Sequence, residues 1–443
     1  MHRHFQALFC GSALTFGLAF LTPAGAAERV AMGPPAETAA NNEGENLIAA
    51  PAANQVDQNL QALVSAAVST HPSIAAARAS LRASGADLRA AKWLRFPSFS
   101  VEGALLDERN NRRQASAFID QPIWTAGRVS GTISRASALE QAALAGYWEA
   151  VLNIELLVAQ SYHEYHRLSL RIDSLSDSLT QHRKLVETMR RRVTQDVSPV
   201  SDLDLVESRT AQVEQQVTVT IALQKTVLQK LRELVDDPLL VPGPPPPIDA
   251  NLPDLDQGLI IDRAVAFDPS RQRLLAEAKA ARAEASSTRA SVLPQLVGQY
   301  SYNETFGHRV GLALKAQSEG GLARVSSANA AKARQQSAEL KVAGLERDLR
   351  DRVYADFVEY EASRARLAST RQSSESALRV MASYMRQFIS GRRTWLDVMN
   401  AVREASSAQN DAIDAGSSTR AAYDRLMMRT GSWNGPSDPK DAQ

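Results

Sequence analysis

From Ile154 to Val193 apolar residues return every seventh position along two seams. Val158, Tyr165, Ile172, Leu179, Val186 and Val193 form one, and Ile154, Leu168, Leu175 and Met189 the other, with Ser161 and His182 interrupting the second. A sustained seven-residue period is the signature of helix packed on helix in a coiled coil. Neither Gly nor Pro occurs between Tyr147 and Val197, and the preceding stretch from Arg128 is rich in Ala, Ser and Leu. The pattern therefore predicts one helix of about 65 residues, on the order of 100 Å at 1.5 Å per residue. Ser198-Pro199-Val200-Ser201 then turns the chain, and Val206, Val213, Val227 and Leu234 continue the period on a returning helix. A second long helix is predicted from about Arg324 to Phe388, with a turn at Ser390-Gly391 and a return from Trp395 to about Met428.

Elsewhere the period shifts to two. Pro97 and Pro294 stop incoming helices, and short alternating segments follow, at about 97–106 and 115–124, then 295–302 and 310–316. Val310, Leu312 and Leu314 fall on one face, and Gly311, Ala313 and Lys315 on the other. Strands of this length suit a tilted bilayer crossing. Trp93, Phe96 and Trp124 cluster where helices give way to strands, as an interfacial aromatic belt does. Four strands cannot close a barrel, so a membrane role demands strands from other copies.

These elements come as two copies of one unit. His71-Pro72-Ser73 matches Asp268-Pro269-Ser270 and Pro97 matches Pro294, both 197 positions apart, while Gly127 and Gly321 lie 194 apart. SPVSDLDLVESR at 198–209 is a weaker copy of GRRTWLDVMNAV, pairing Asp204 with Asp397 and Ser198 with Gly391 at an offset of 193. The expected fold class is mainly α with a small β part, a helix, hairpin, long helix and return helix used twice. Repeats at 57–238 and 258–431 would be joined by a Pro-rich connector at 239–257.

Residues 1–26 read as a secretory signal peptide, with Arg3 before the apolar run Phe5–Leu21 and Ala24-Gly25-Ala26 at the cleavage site. The single cysteine, Cys10, lies within it, which removes disulfide, thiolate-metal and thiol-nucleophile chemistry from the exported chain. Without Arg3, 49 basic side chains face 49 acidic ones, so no overall field recruits nucleic acid. Downstream of the signal no run reaches the ~20 consecutive apolar residues of a spanning helix, so membrane contact is expected through strands. Residues 27–56 and 432–443 are expected to be disordered.

On HPSIAAA (71–77), QPIWTAGR (121–128), the Gly391–Ala401 turn and helix, and the duplication itself, the chain resembles the TolC family of outer-membrane efflux and secretion channels over about residues 57–431. The resemblance implies a homotrimer in the outer membrane whose four strands per subunit form a twelve-stranded barrel, continued by an α-helical tunnel across the periplasm. It implies partnership with a periplasmic adaptor and an inner-membrane ABC transporter or proton-driven pump, and no cofactor. The GRRTWLDVMNAVRE tip is similar to members serving type I protein secretion; drug or metal efflux is the alternative.

In the family, aspartates ring the narrowest aperture at the periplasmic tip. The match carries the first to Asp397 and puts Asn400 at the second, halving the charge. Read from the residues alone, Asp397 is equally a first-turn acid on a helix N-terminus. The family's polar tip latch maps to Asp204 and Arg393, with its tyrosine replaced by Phe388, which lacks the hydroxyl. His163-Glu164-Tyr165-His166 resembles a zinc motif only superficially, since its histidines are at i and i+3 rather than i and i+4. No catalytic or metal site is expected. A periplasmic adaptor also uses long α-hairpins, but one rather than two, and a soluble coiled-coil scaffold leaves the paired hairpins unexplained.

Overall fold

A computed structural model describes residues 57–105, 113–244, 252–303, 307–316 and 323–433. The expected signal peptide, the linker at 27–56, Gly321 and most of the tail lie outside them.

The chain runs α1 (Gln58–Thr70), α2 (Pro72–Trp93), β1 (Ser98–Leu105), β2 (Arg113–Trp124), α3 (Arg128–Thr194) and α4 (Val200–Val235). The same series follows as α5 (Gln257–Phe267), α6 (Pro269–Ala290), β3 (Gln295–Asn303), β4 (Gly307–Lys315), α7 (Ala323–Ile389) and α8 (Trp395–Arg429). α2 and α6 each have 22 residues, and α3 and α7 each have 67. Equivalent helices also start alike. His71 and Asp268 are the N-caps of α2 and α6, each accepting a backbone N–H of the first turn, with Pro72 and Pro269 at the first helical positions.

α3 is the axis of the bundle. It packs on α1, α2 and α6 toward the sheet and on α4 and α8 toward the turns, and α7 packs on α6 and then α8. Its most deeply buried seam is Ile154, Ser161, Leu168, Leu175, His182 and Met189, each 5% exposed or less and spaced by seven. The two polar residues that interrupt the sequence pattern thus sit inside the packing. His182 satisfies one ring nitrogen on the Ser178 carbonyl at 2.8 Å, and burial lowers its pKa. One 18-residue window of α3 has a mean hydropathy of 1.3, apolar enough to cross a bilayer by length and composition. Five helices flank α3, and 44% of that window is buried.

The four strands form one antiparallel sheet in the order β1-β2-β3-β4. Its register sorts the side chains into two faces. Phe99, Ile119, Tyr300 and Val310 make one cross-strand row, and Val101, Ala117, Tyr302 and His308 the next. The opposite face carries Ser98, Asp120, Gln299 and Gly311, then Ser100, Phe118, Ser301 and Arg309. Lys315 reaches Asp120 at 2.7 Å. On the apolar face Phe99 is 69% exposed, Val310 85% and Leu312 71%. Among the described residues, none covers them. The sequence places the last strand from residue 310, but pairing begins at Gly307, because the ladder continues through polar His308 and Arg309.

Candidate functional site

Trp93 ends α2, Trp124 ends β2 and Phe96 lies just before β1, so all three occupy the junction of helices and sheet. All are more than half exposed, and the Trp93 and Phe96 rings lie 4.9 Å apart. Such a ring cluster suits a boundary between apolar and aqueous surroundings.

The other end of the molecule holds the two turns. α3 and α7 both start and finish 195 positions apart, and α4 and α8 also start 195 apart. The structural offset at the turns is therefore 195, not the 193 of the sequence match. Asp202, not Asp204, is the counterpart of Asp397, both being first-turn acids. Likewise Asp196, not Ser198, is the counterpart of Gly391. Asp196 (φ 56°) and Gly391 (φ 73°) are the left-handed residues that end the long helices. In each turn the next N–H closes back onto the helix, Val197 to the Arg192 carbonyl and Arg392 to the Gln387 carbonyl, both at 2.9 Å. Ser198 instead accepts from Arg192 Nε at 3.3 Å.

Between the turns lies a small core of Leu185, Met189, Val206, Phe388, Val398, Met399 and Val402, drawn from all four helices. Phe388 is 3% exposed within it, and Arg192 stacks over its ring at 5.4 Å. The residue replacing the family's tyrosine is thus a packing residue. Trp395 sits at the edge of the core and donates its indole N–H to Asp202 at 2.9 Å, tying the start of α8 to the start of α4. A part-buried hydrogen bond to a carboxylate is worth about 1.5–3 kcal/mol.

Within this chain the two residues of the expected latch do not meet. Arg393, just ahead of α8, stacks on Tyr384 at 4.4 Å and lies 3.9 Å from Asp397 in the first turn of that helix, while Asp204 is exposed and makes no contact with Arg393. At the turns, among the described residues, the polar bond between repeats is Trp395 to Asp202. Asp397 closes a capping box: its N–H reaches Thr394 Oγ1 at 3.2 Å, and its carboxylate accepts from the Thr394 N–H at 3.3 Å. The helix-terminus role read from the residues is present, and the half-exposed carboxylate keeps one side free. Asn400 is exposed one turn further on, where Arg403 approaches it at 3.5 Å. Two signals could have found the Trp395 bond: the equal lengths of the long helices, and an indole beside an acid-rich turn.

The histidine pair of α3 lies halfway along the bundle. His163 Nε2 meets Asp424 at 2.9 Å, and Arg420 meets the same carboxylate at 3.0 Å. His166 packs edge-on to Tyr162 at 4.3 Å, and burial, aided by the charge of His163, lowers its pKa to about 4. Tyr162 hydrogen-bonds Asp57. Beside this cluster, Asp356 of α7 takes Arg425 and Arg429 of α8, each at 2.8 Å. The C-terminal end of α8 is therefore clamped to both long helices.

No protein-family profile and no curated protein matches the chain. Solved structures do. The outer-membrane channel OprN is similar at 17% identity with a TM-score of 0.73, covering 85% of this chain and 91% of that one. The outer membrane protein VceC of Vibrio cholerae is similar at 18% identity with a TM-score of 0.72, covering 84% and 96%. The CmeC outer membrane channel of Campylobacter jejuni is similar at 13% identity with a TM-score of 0.74, covering 87% and 88%. The fold of this chain is that of the TolC-type outer-membrane channels.

Proposed function

We propose that the protein is a trimeric channel-tunnel of the outer membrane, the exit duct of an export system completed by a periplasmic adaptor and an inner-membrane pump. The observation that carries this reading is the sheet. It is four strands wide, open at β1 and β4 among the described residues, polar on one face and bare of cover on an apolar other. Such a sheet is stable in lipid only when its edges close on other copies. Three subunits would give twelve strands with Ser100, Gln299, Ser301 and Arg309 toward water and Phe99, Val101, Val310, Leu312 and Leu314 toward lipid. The similar channels named above support the same assembly.

The turns form the periplasmic mouth, where Asp397 and Asn400 of each subunit approach the axis. Three carboxylates there would favour cations. The Trp395–Asp202 bond holds the mouth of each subunit shut. On the tip sequence GRRTWLDVMNAVRE, the cargo is protein, driven by an ABC transporter. Deleting the gene in its host should remove one or a few proteins from the culture medium while leaving drug and metal tolerance unchanged. The reverse outcome would assign the duct to efflux.

A further inference from the structure

α2 and α6 end in the same way. After α2 the amides of Leu94, Arg95 and Phe96 close onto the carbonyls of Ala91, Lys92 and Trp93 at 3.2, 3.3 and 2.9 Å. After α6 those of Ser291, Val292 and Leu293 close onto Thr288, Arg289 and Ala290 at 3.2, 3.3 and 3.1 Å. The side chains hung on these two matching turns differ. Lys92-Trp93-Leu94-Arg95-Phe96 stands where the second copy has Arg289-Ala290-Ser291-Val292-Leu293. One cation near the last turn complements the negative end of a helix, and Arg289 alone does so for α6. The backbone therefore requires neither the second cation nor the two rings of the first copy.

The additional groups are ordered. Lys92 and Arg95 are three residues apart, as are Trp93 and Phe96, so cations and rings fall on adjacent sides of one turn. Trp93, Leu94 and Phe96 are 47–68% exposed. Among the described residues neither Lys92 nor Arg95 has an ion pair or a side-chain hydrogen bond. No acid occurs between Asp87 and Glu102, and the one acid of β2, Asp120, is held by Lys315. Gln121 of β2 donates its side-chain N–H to the Arg95 carbonyl at 3.0 Å, which fixes the turn to the sheet. Exposed rings beside two unmatched cations are complementary to an amphiphile with an anionic head.

We propose that the turn from Lys92 to Phe96 binds the headgroup of an anionic glycerophospholipid. The proposal rests on the outer-membrane reading, in which the sheet lies in the bilayer and this turn meets the leaflet on the side of the helices. It names the lipid that the aromatic cluster holds. Lys92 and Arg95 take the phosphodiester, and Trp93 and Phe96 cover the glycerol and the first methylenes. A zwitterionic phospholipid brings its own ammonium group against the two cations and binds less well.

The test uses native mass spectrometry of the detergent-extracted full-length protein, with phosphatidylglycerol or phosphatidylcholine of the same acyl chains added in equal amount. Phosphatidylglycerol should be retained at least about fivefold more than phosphatidylcholine, up to one molecule per subunit. Lys92→Glu with Arg95→Glu should abolish the preference, and the milder Lys92→Gln with Arg95→Gln should reduce it several-fold. The assembly mass in the same spectra shows that each variant is intact. Arg289→Gln, in the second copy, should leave the preference unchanged. Equal retention of the two lipids, or a preference that survives Lys92→Gln with Arg95→Gln, overturns the proposal. So does displacement of phosphatidylglycerol by an equal amount of lipid A, since the cations would then serve a phosphate of the opposite leaflet. Bilayer conductance of the same preparation separates the two readings. A conducting pore without lipid preference sinks the site alone, whereas a protein that forms no pore sinks the membrane reading on which the site rests.

Discussion

The two turns share one backbone and differ in almost everything hung on it. Residues 191–208 carry two arginines and four carboxylates, whereas the equivalent residues 386–403 carry four arginines and one carboxylate. The first turn reverses on Asp196 and starts its return helix at Pro199 without a side-chain cap; the second reverses on Gly391 and starts with a capping box. In the first pair, Arg183 meets Glu214 at 3.0 Å and Arg190 meets Glu207 at 2.9 Å. The equivalents 195 positions later are Leu378 with Gln409 and Met385 with Val402, none charged. Met385 and Val402 instead join the core against the first pair. Near its turn one hairpin is thus tied together by its own ion pairs, whereas the other carries its own at the far end, on Asp356, and rests its tip against its neighbour. A duplicated unit has become a frame and an arm. The arm's far end is fixed by the Asp424 and Asp356 clusters, which leaves movement to its tip.

Removing the surface on which the arm rests should have the largest effect. Phe388→Ala empties a buried site shared by all four helices, and a loss of about 3–5 kcal/mol is expected. Limited proteolysis should then cut near 390 in the second turn well before the first. Next comes the bond between repeats. Trp395→Phe keeps the ring and removes the donor, and Asp202→Asn removes the charge; each should cost about 1–3 kcal/mol and raise channel conductance and antibiotic entry. Asp204→Asn should do neither. Thr394→Ala removes the cap of α8 at about 1 kcal/mol, read as earlier proteolysis of the second turn, whereas Pro199→Ala in the uncapped counterpart should change little. Smallest of all, Arg190→Ala should shift thermal stability by less than about 1 kcal/mol, since the ion pair it breaks is solvent-exposed.

Much of this was legible in the sequence because periodic packing is local. Seven-residue spacing gave α3 within a residue or two, and alternation gave the facing of β4. The two-residue slip at the turns has a physical cause: Asp202 and Asp204 flank one leucine, so either acid can be matched to Asp397, and only helix length decides. Ser161 and His182 interrupt the apolar seam in the sequence because polarity alone does not report burial, and both fit the bundle interior. The Trp395–Asp202 bond joins residues 193 apart and arises from how α8 lies across α3.

The most direct test is single-channel conductance of the detergent-extracted protein in planar bilayers, with Asp202→Asn and Asp204→Asn beside the unaltered chain. Small cation-selective pores that widen with Asp202→Asn and not with Asp204→Asn are the predicted result. Pores equally indifferent to both changes, or a protein that forms none, would contradict it.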